Sequence, residues 1–180
     1  MNRLISIKDI SDIPAIYQKT PIGKLLEYHN LLMEHDTYER AQLLIGMCMD
    51  NRNSLRIPNL FSYIIRAGGA NLRYSEFKVS YAIAVGEVKH IALIGHTNCA
   101  MVNLTSKKEL FIEGLVNNGG WNKEWATEHF NQFAPMFEIG NEIDFTLTEV
   151  KRLRQRYPKV TVVPMMYLVE DNMLYIINED

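Results

Sequence analysis

Two cysteines and one histidine follow short apolar runs of the sequence in a pattern that suits a metal ion. Cys48 comes directly after the run at 41–47, and His96 and Cys99 come shortly after the run at 90–94. Thiolate sulfur and imidazole nitrogen are ligands that zinc prefers, and a catalytic zinc site keeps its fourth position for water. The set uses both cysteines of the chain. We therefore predict a zinc site formed by Cys48, His96 and Cys99, which activates water against a small electrophile.

An acidic and a basic residue follow Cys48 at every second position. If the segment is extended, Cys48, Asp50 and Arg52 project to the same side, and Asp50 can pair with Arg52 as carboxylate with guanidinium. Arg52 would then hold Asp50 ionised and oriented, so that Asp50 could accept a hydrogen bond from a zinc-bound hydroxide. Because carboxylate oxygen is itself a zinc ligand, Asp50 could also swing onto the metal. An open and a closed form of the site therefore stay as alternatives.

Each of these residues has a simpler interpretation when it is taken alone. A lone cysteine after a buried strand is most often a small apolar residue of the core. Asp50 with Arg52 is most often a surface pair of little energetic weight, and Gly68-Gly69 alone is typical of a turn. Only the combination favours a metal site. A dithiol redox pair is a weaker alternative, because the chain has no C-x-x-C motif and His96 would be unexplained.

Strand-like and helix-like segments alternate along the chain. Strands are predicted at 41–47, 61–65, 90–94 and 160–163, with a last edge strand at 173–177. Helices are predicted at 21–34, at 75–85 and from Gly140 to Pro158. This alternation favours an α/β fold with a mostly parallel central sheet flanked by helices. The carboxyl ends of such strands form the ligand crevice, and Cys48 and His96 follow two of them.

The whole chain, residues 1–180, is predicted to form a single domain. Within it, residues 1–35 make an N-terminal arm and helix, and residues 105–139 look like a helical insertion. The helix at 75–85 is apolar around most of its circumference. We therefore expect it to be buried on all sides, in part against another subunit.

Composition excludes several classes of partner. The 180 residues include 19 basic and 21 acidic ones, for a formal net charge of −2, which gives no general attraction to nucleic acid or to an anionic membrane. No apolar run approaches the ~20 residues needed to span a bilayer. Lys8 and Asp9 interrupt any signal-peptide core at the start of the chain. These features predict a cytoplasmic protein whose thiols are kept reduced and form no disulfide.

The motifs resemble those of the β-class carbonic anhydrases. The zinc motif of that family, C-x-D-x-R followed by H-x-x-C, corresponds here to Cys48, Asp50, Arg52, His96 and Cys99. The resemblance covers residues 40–104 well and residues 140–178 loosely. It implies a four-stranded parallel sheet extended by an antiparallel edge strand, and a homodimer or a higher homo-oligomer. It also implies that Cys48, His96 and Cys99 bind Zn²⁺ and that Asp50 and Arg52 form the catalytic dyad.

The function implied by this resemblance is the reversible hydration of carbon dioxide to bicarbonate. The substrate is expected to lie against the small residues Gly68 and Gly69. Several positions depart from the family pattern, among them Ala67 in place of the usual Asn, Asn98 in place of Asp, and Ala100 in place of Gly. Two alternatives therefore stay open. One is a hydrolase of carbon disulfide or carbonyl sulfide, and the other is a catalytically silent zinc-binding regulatory homologue.

Overall fold

A computed structural model describes residues 3–179, and its centre is one six-stranded sheet with the order β1-β6-β5-β4-β2-β3. The strands are β1 (Leu4–Ser6), β2 (Leu43–Met47), β3 (Ser62–Arg66), β4 (His90–His96), β5 (Thr161–Leu168) and β6 (Met173–Ile177). β2 to β5 run parallel, β6 is antiparallel to β5, and β1 is antiparallel to β6. The predicted α/β fold with a mostly parallel sheet is confirmed.

One detail of the predicted sheet is wrong. The strand at 173–177 is antiparallel as expected, but it is not the edge, because β1 pairs with it through Leu4↔Ile177 and Ser6↔Tyr175. The N-terminal arm, for which no strand was predicted, therefore supplies a sixth strand. Its pairing partner lies about 170 residues away in the sequence, so no local pattern could have indicated it.

Residues 3–179 form five α-helices. They are α1 (Pro21–His29), α2 (Glu76–Ala84), α3 (Lys108–Gly119), α4 (Lys123–Phe137) and α5 (Glu142–Arg156). Of these, α1, α2 and α5 pack on the sheet. Thr20 caps α1, since its side chain accepts a hydrogen bond from the backbone N–H of Gly23. Residues 105–139 hold α3 and α4, which pack against each other through Ile112, Ala126 and Phe130. No helix within residues 3–179 is both long enough and apolar enough to cross a bilayer.

Alternate side chains of the central strands pack on opposite faces of the sheet. Leu43, Ile45 and Met47 of β2 lie in a cluster with Leu25 and Leu26 of α1. The opposite face of β2 carries Leu44, which belongs to the cluster that includes Val79 of α2 and Val150 of α5. A parallel sheet covered on both faces needs strands that are apolar throughout, and all five residues of β2 are buried.

Two elements differ in length from the prediction because of tertiary contacts. α1 ends at His29 rather than at residue 34, since the side chain of Asn30 exchanges hydrogen bonds with the backbone of Leu174. β5 extends beyond residue 163 and includes Pro164, although proline lacks the N–H that a central strand normally needs. Pro164 is accommodated because the pairing of β5 with β6 begins one residue later, at Met165.

Helix α2 is not buried all round within one chain. Only Val79 and Ala82 of the helix are buried, whereas Phe77 is 80% exposed and Tyr81 is half-exposed. The apolar outer side of α2 lies next to the exposed Ile64 of strand β3. Within one chain α2 is therefore only partly covered, and burial of its outer side against another subunit stays a prediction.

Candidate metal centre

The side chains of Cys48, His96 and Cys99 meet at one end of the sheet. Cys48 follows the last residue of β2, His96 is the last residue of β4, and β2 and β4 are adjacent parallel strands. Their carboxyl ends therefore lie side by side, and the turn after β4 returns Cys99 to the same place. The two sulfur atoms are 4.0 Å apart, and the ligand atoms of all three residues lie within 4.8 Å of one another.

The chemistry of this group fits a cation. All three side chains are buried, and tetrahedral zinc with Zn–S bonds of ~2.3 Å separates two sulfurs by about 3.8 Å, close to the spacing seen here. His96 Nδ1 lies 2.9 Å from the carbonyl oxygen of Thr97, so Nδ1 carries the proton. Nε2 then keeps its lone pair, yet it is buried and has no hydrogen-bond partner among residues 3–179. A buried acceptor of this kind costs free energy unless a metal or a donor engages it.

The two thiols influence each other strongly. Contact with Cys99 lowers the pKa of Cys48 below its usual range, helped by the backbone N–H of Gly69, which donates to the Cys48 sulfur at 3.3 Å. The same contact raises the pKa of Cys99, because a thiolate on Cys48 disfavours a second negative charge so close by. A divalent cation between the sulfurs removes this conflict, since it stabilises both thiolates together.

Asp50 and Arg52 form a closely paired carboxylate and guanidinium beside the thiols. Arg52 Nε donates to Asp50 Oδ1 at 2.9 Å, and Nη2 donates to Oδ2 at 2.7 Å. These hydrogen bonds hold the pKa of Asp50 well below its usual range. The backbone N–H of Arg52 also donates to Oδ1, which shows that a turn brings the two residues together. The predicted extended alternation is wrong, because the chain turns at residues 50–53.

The carboxylate of Asp50 is directed at Arg52 rather than at the thiols. Within the described part of the chain, the group of side chains able to hold a metal consists of Cys48, His96 and Cys99, without Asp50. Arg52 Nη2 additionally donates to the carbonyl oxygen of Asn98, at 3.0 Å. Arg52 therefore bridges the loop after β2 and the turn after β4.

Gly68 and Gly69 lie in a short turn after β3, directly beside Cys48. Gly69 has a φ of +62°, a backbone conformation that favours glycine. A Cβ atom on Gly68 would lie 3.0 Å from the sulfur of Met101. The sequence predicted these glycines as the substrate-binding wall, and the structure places Gly68 at a cavity and Gly69 against a candidate ligand.

An apolar cavity of about 360 Å³ opens beside this glycine turn. Its wall combines residues near the thiols with one side of the α3–α4 pair, and its lining is almost entirely carbon and sulfur. The lining residues are Met49, Gly68, Met101, Leu104, Phe111, His129, Phe130, Phe133, Ala134 and Phe137. Residues 105–139, for which the sequence motifs indicated no role, thus enclose space next to the candidate metal centre.

Two supporting residues were missed by the sequence analysis. Arg66 donates to the carbonyl oxygens of Cys48 and Asn53, at 3.0 and 2.9 Å, and so braces both ends of the loop that carries Asp50. Glu142 accepts a hydrogen bond from the backbone N–H of Cys99 at 3.2 Å. The position of Arg66 directly before the glycine turn was a usable signal for its role. Glu142 is 43 residues away from Cys99 and had no such signal.

Comparison with known proteins places this arrangement in a defined class of fold. No protein-family model matches the chain, and no curated protein matches it. Among solved structures, isoform I of the β-carbonic anhydrase from Trichomonas vaginalis matches with a TM-score of 0.63 at 17% identity, over 83% of this chain and 91% of that chain. The carbonic anhydrase from Glaciozyma antarctica matches with a TM-score of 0.59 at 19% identity, over 76% and 83%.

A hydrolase shares the same fold. The apo form of a carbon disulfide hydrolase matches with a TM-score of 0.57 at 19% identity, over 78% of this chain and 80% of that chain. Together these similarities show that the chain has a β-carbonic anhydrase-like fold. The group formed by Cys48, His96 and Cys99 is a possible metal site within that fold.

Proposed function

We propose that the chain binds Zn²⁺ through Cys48, His96 and Cys99 and catalyses the reversible hydration of carbon dioxide to bicarbonate. The observation that carries this proposal is the buried convergence of two sulfurs and an unpartnered imidazole nitrogen within 4.8 Å. Its place at the carboxyl ends of parallel strands is where open α/β sheets bind ligands. The carbonic anhydrases that share the fold support the choice of reaction.

Zinc held by Cys48, His96 and Cys99 would lower the pKa of a bound water from ~15.7 to about 7, so that a nucleophile would be present at neutral pH. The chain itself supplies the orientation. Asp50 Oδ1 already receives two hydrogen bonds from Arg52, whereas Oδ2 receives one and keeps a lone pair. Arg52 keeps the pKa of Asp50 far below neutral, so the carboxylate stays ionised. It accepts a hydrogen bond from the attacking water but does not keep the proton that this water loses. We propose that this proton passes on to solvent.

The apolar cavity suits an uncharged substrate. Its lining is almost entirely apolar and would solvate an ion poorly, so that carbon dioxide would be favoured there over ions. Gly68 has no side chain to fill the space beside Met101 in the wall near Cys48, and the N–H of Gly69 donates a hydrogen bond that stabilises the Cys48 thiolate. We propose that Gly68 and Gly69 line the substrate site and that Asp50 and Arg52 are the catalytic pair.

A second candidate reaction is the hydrolysis of carbon disulfide or carbonyl sulfide. Two observations favour it: the cavity is larger than one carbon dioxide molecule needs, and a carbon disulfide hydrolase has the same fold. Sulfur is larger and more polarisable than oxygen, and the aromatic and methionine side chains of the wall would contact it favourably. The same metal ligands would serve both reactions.

We also propose that the chain forms a homodimer or a higher homo-oligomer. Phe77 and Tyr81 on α2 are exposed beside Tyr63 and Ile64 on strand β3, which is an open edge of the sheet. Contiguous exposed apolar side chains of this kind mark interaction sites, and an unpaired strand edge adds hydrogen-bonding groups. A second copy presenting the same surface would cover both the exposed apolar side chains and the open edge of β3.

The proposed function is tested by metal analysis of natively purified protein combined with a stopped-flow carbon dioxide assay. About one zinc per chain, with hydration well above the buffer rate, is the expected result. Protein that contains no zinc and binds none when it is supplied contradicts the proposal. Zinc with hydration at the buffer rate indicates the silent regulatory alternative. Release of hydrogen sulfide from carbon disulfide or carbonyl sulfide, faster than carbon dioxide hydration, assigns the second reaction instead.

A further inference from the structure

A carboxylate in the loop between β5 and β6 holds the turn that joins His96 to Cys99. Glu170 Oε2 accepts a hydrogen bond from the hydroxyl of Thr97 at 2.6 Å, and Oε1 accepts one from the side-chain amide of Asn98 at 2.8 Å. The Thr97 hydroxyl in turn accepts from the backbone N–H of Val169 at 3.0 Å. Both residues between the two candidate ligands are thus bound to a single side chain.

The conformation of this turn needs such support. Asn98 has a φ of +55°, a left-handed conformation that is uncommon for residues other than glycine, although asparagine tolerates it better than most. The carbonyl oxygen of Asn98 accepts the hydrogen bond from Arg52 Nη2. Contacts therefore run continuously from Glu170 through Asn98 to Arg52 and on to Asp50.

Asn98 and Glu170 are complementary as hydrogen-bond donor and charged acceptor. The amide of Asn98 can donate to the carboxylate of Glu170, whereas an aspartate at position 98 would place two negative charges about 3 Å apart. An asparagine at position 98 therefore suits the presence of Glu170.

We propose that Glu170 is a positioning residue: it holds the His96–Cys99 turn in its metal-binding geometry and, through Asn98, keeps Arg52 in place on Asp50. This inference rests on the proposed zinc site. Glu170 contacts neither a candidate ligand nor the reacting atoms. It is exposed, and exposed hydrogen bonds have modest strength. Its effect is therefore a several-fold change in metal retention rather than loss of the site.

The first test measures zinc release from the full-length protein with a chromogenic chelator, comparing Glu170→Ala with the wild type. We expect release about threefold to tenfold faster, at the lower end of the effect of residues that orient metal ligands. Glu87→Ala is the matched control, because Glu87 is an equally exposed carboxylate that accepts from Arg40 at 2.7 Å just before β4 begins, at the opposite end of that strand. This control should release zinc at the wild-type rate.

The second test exchanges the charges of the pair. Asn98→Asp alone should also speed zinc release, because its new carboxylate faces Glu170. Combining it with Glu170→Gln should restore the wild-type rate within about twofold, because the introduced amide can donate to the introduced carboxylate. Such recovery is a coupling between two neighbouring sites, and a general loss of stability would not produce it. The visible bands of bound Co²⁺, which report ligand geometry, should shift in Glu170→Ala and return in the double variant.

The outcomes separate this inference from the proposed function. A wild-type chain that takes up neither zinc nor Co²⁺ overturns both. If the wild type binds zinc, but Glu170→Ala keeps the wild-type release rate and Co²⁺ spectrum, only the role of Glu170 is overturned. The same holds if the double variant releases zinc as fast as Asn98→Asp alone. Because Glu170 is exposed, we expect its variants to fold, and circular dichroism verifies this.

Discussion

The carboxylate of Asp50 and the guanidinium of Arg52 meet face to face, joined by side-chain hydrogen bonds of 2.9 and 2.7 Å. Arg52 also reaches the carbonyl oxygen of Asn98, so that the pair is anchored on two loops of the site. Asp50 is thereby held ionised near the thiols without belonging to the ligand group. In this structure Arg52, rather than a thiol of the site, is therefore the partner of the Asp50 carboxylate.

Removing the charge of Asp50 should separate metal binding from turnover. Asp50→Asn keeps the size of the side chain but loses the charge and replaces one of the two acceptor oxygens with an NH2 donor, so we expect zinc content to be unchanged and hydration to fall about 100-fold or more. Metal analysis and stopped-flow assays on one preparation measure both. Asp171→Asn, in the loop before β6, is the control and should behave as the wild type. Full turnover in Asp50→Asn would remove Asp50 from the mechanism.

Replacing one sulfur ligand should abolish metal binding and activity together. In Cys99→Ser a hydroxyl replaces a thiolate, so we expect affinity for zinc to fall by more than about 100-fold, beyond the effect of residues that only orient ligands. The zinc-to-protein ratio after gel filtration and the hydration rate are the measurements. Met101→Leu, a substitution of similar volume beside the site, should retain its zinc. Retention of zinc by Cys99→Ser would show that Cys99 is not a ligand.

Filling the cavity beside Cys48 should weaken catalysis without removing zinc. A side chain at position 68 would meet Met101 and Phe137, so Gly68→Val should lower kcat/KM by about tenfold while the zinc content is preserved. We expect a larger decrease with carbon disulfide than with carbon dioxide, because sulfur needs more space. Gly140→Ala is the control, since a Cβ atom there meets no other atom within 4 Å. Unchanged kinetics in Gly68→Val would exclude this wall from substrate binding.

Burial of His29 should make stability depend on pH. Burial lowers the pKa of His29 from its ordinary value of 6.5, and Nδ1 accepts the backbone N–H of Arg56 while Nε2 faces the carbonyl oxygen of Asn172. The folded state therefore binds this proton less readily than the unfolded state does. The stability associated with neutral His29 is complete above pH ~6.5 and decreases as the pH falls below it, by at most about 1.4 kcal/mol per pH unit.

Urea unfolding between pH 5 and 8 measures this effect. The free energy of unfolding of His29→Gln should vary less with pH than that of the wild type, and the pH dependence of the metal group cancels in the difference between the two proteins. His35→Gln, which changes an exposed histidine, should follow the wild type. Parallel curves for the wild type and His29→Gln would contradict the prediction.

A charge on the exposed face of α2 should prevent self-association. Phe77 is the most exposed of its large apolar residues, and Phe77→Glu would place a carboxylate in the proposed contact. We expect the wild type to sediment as a dimer or a larger species and Phe77→Glu to sediment as a monomer. Leu110→Glu, on the exposed face of α3, should leave the assembly intact. A wild-type protein that is monomeric at high concentration rules out the proposed assembly.

Local sequence patterns were sufficient for the elements that carry the candidate ligands. β2 and β4 are continuous apolar runs, and Cys48 and His96 lie where those runs end. Adjacent parallel strands must bring their carboxyl ends together, so the convergence of these residues follows from strand order. The caps of α1 and α5 likewise lie at Thr20 and Asn141, where the capping side chains indicated them.

Contacts between distant segments were not predictable in the same way. β1 exists because it pairs with β6, and α1 stops early because Asn30 binds the backbone near Leu174. Glu170 lies 72 residues from Asn98, and neither residue has a local pattern that points to the other. Side-chain hydrogen bonds of this kind depend on tertiary geometry, which hydrophobic periodicity does not encode.

The two edge strands of the sheet differ in length, which limits how this chain can aggregate. β1 forms one edge and spans three residues, and β3 forms the other edge and spans five. Very short edge strands are poor templates for adding further chains, so we expect any pairing between copies to use β3. Two copies that pair through the same edge strand form a closed unit with twofold symmetry. If both edges could pair equally well, copies could instead add one after another into open-ended fibres.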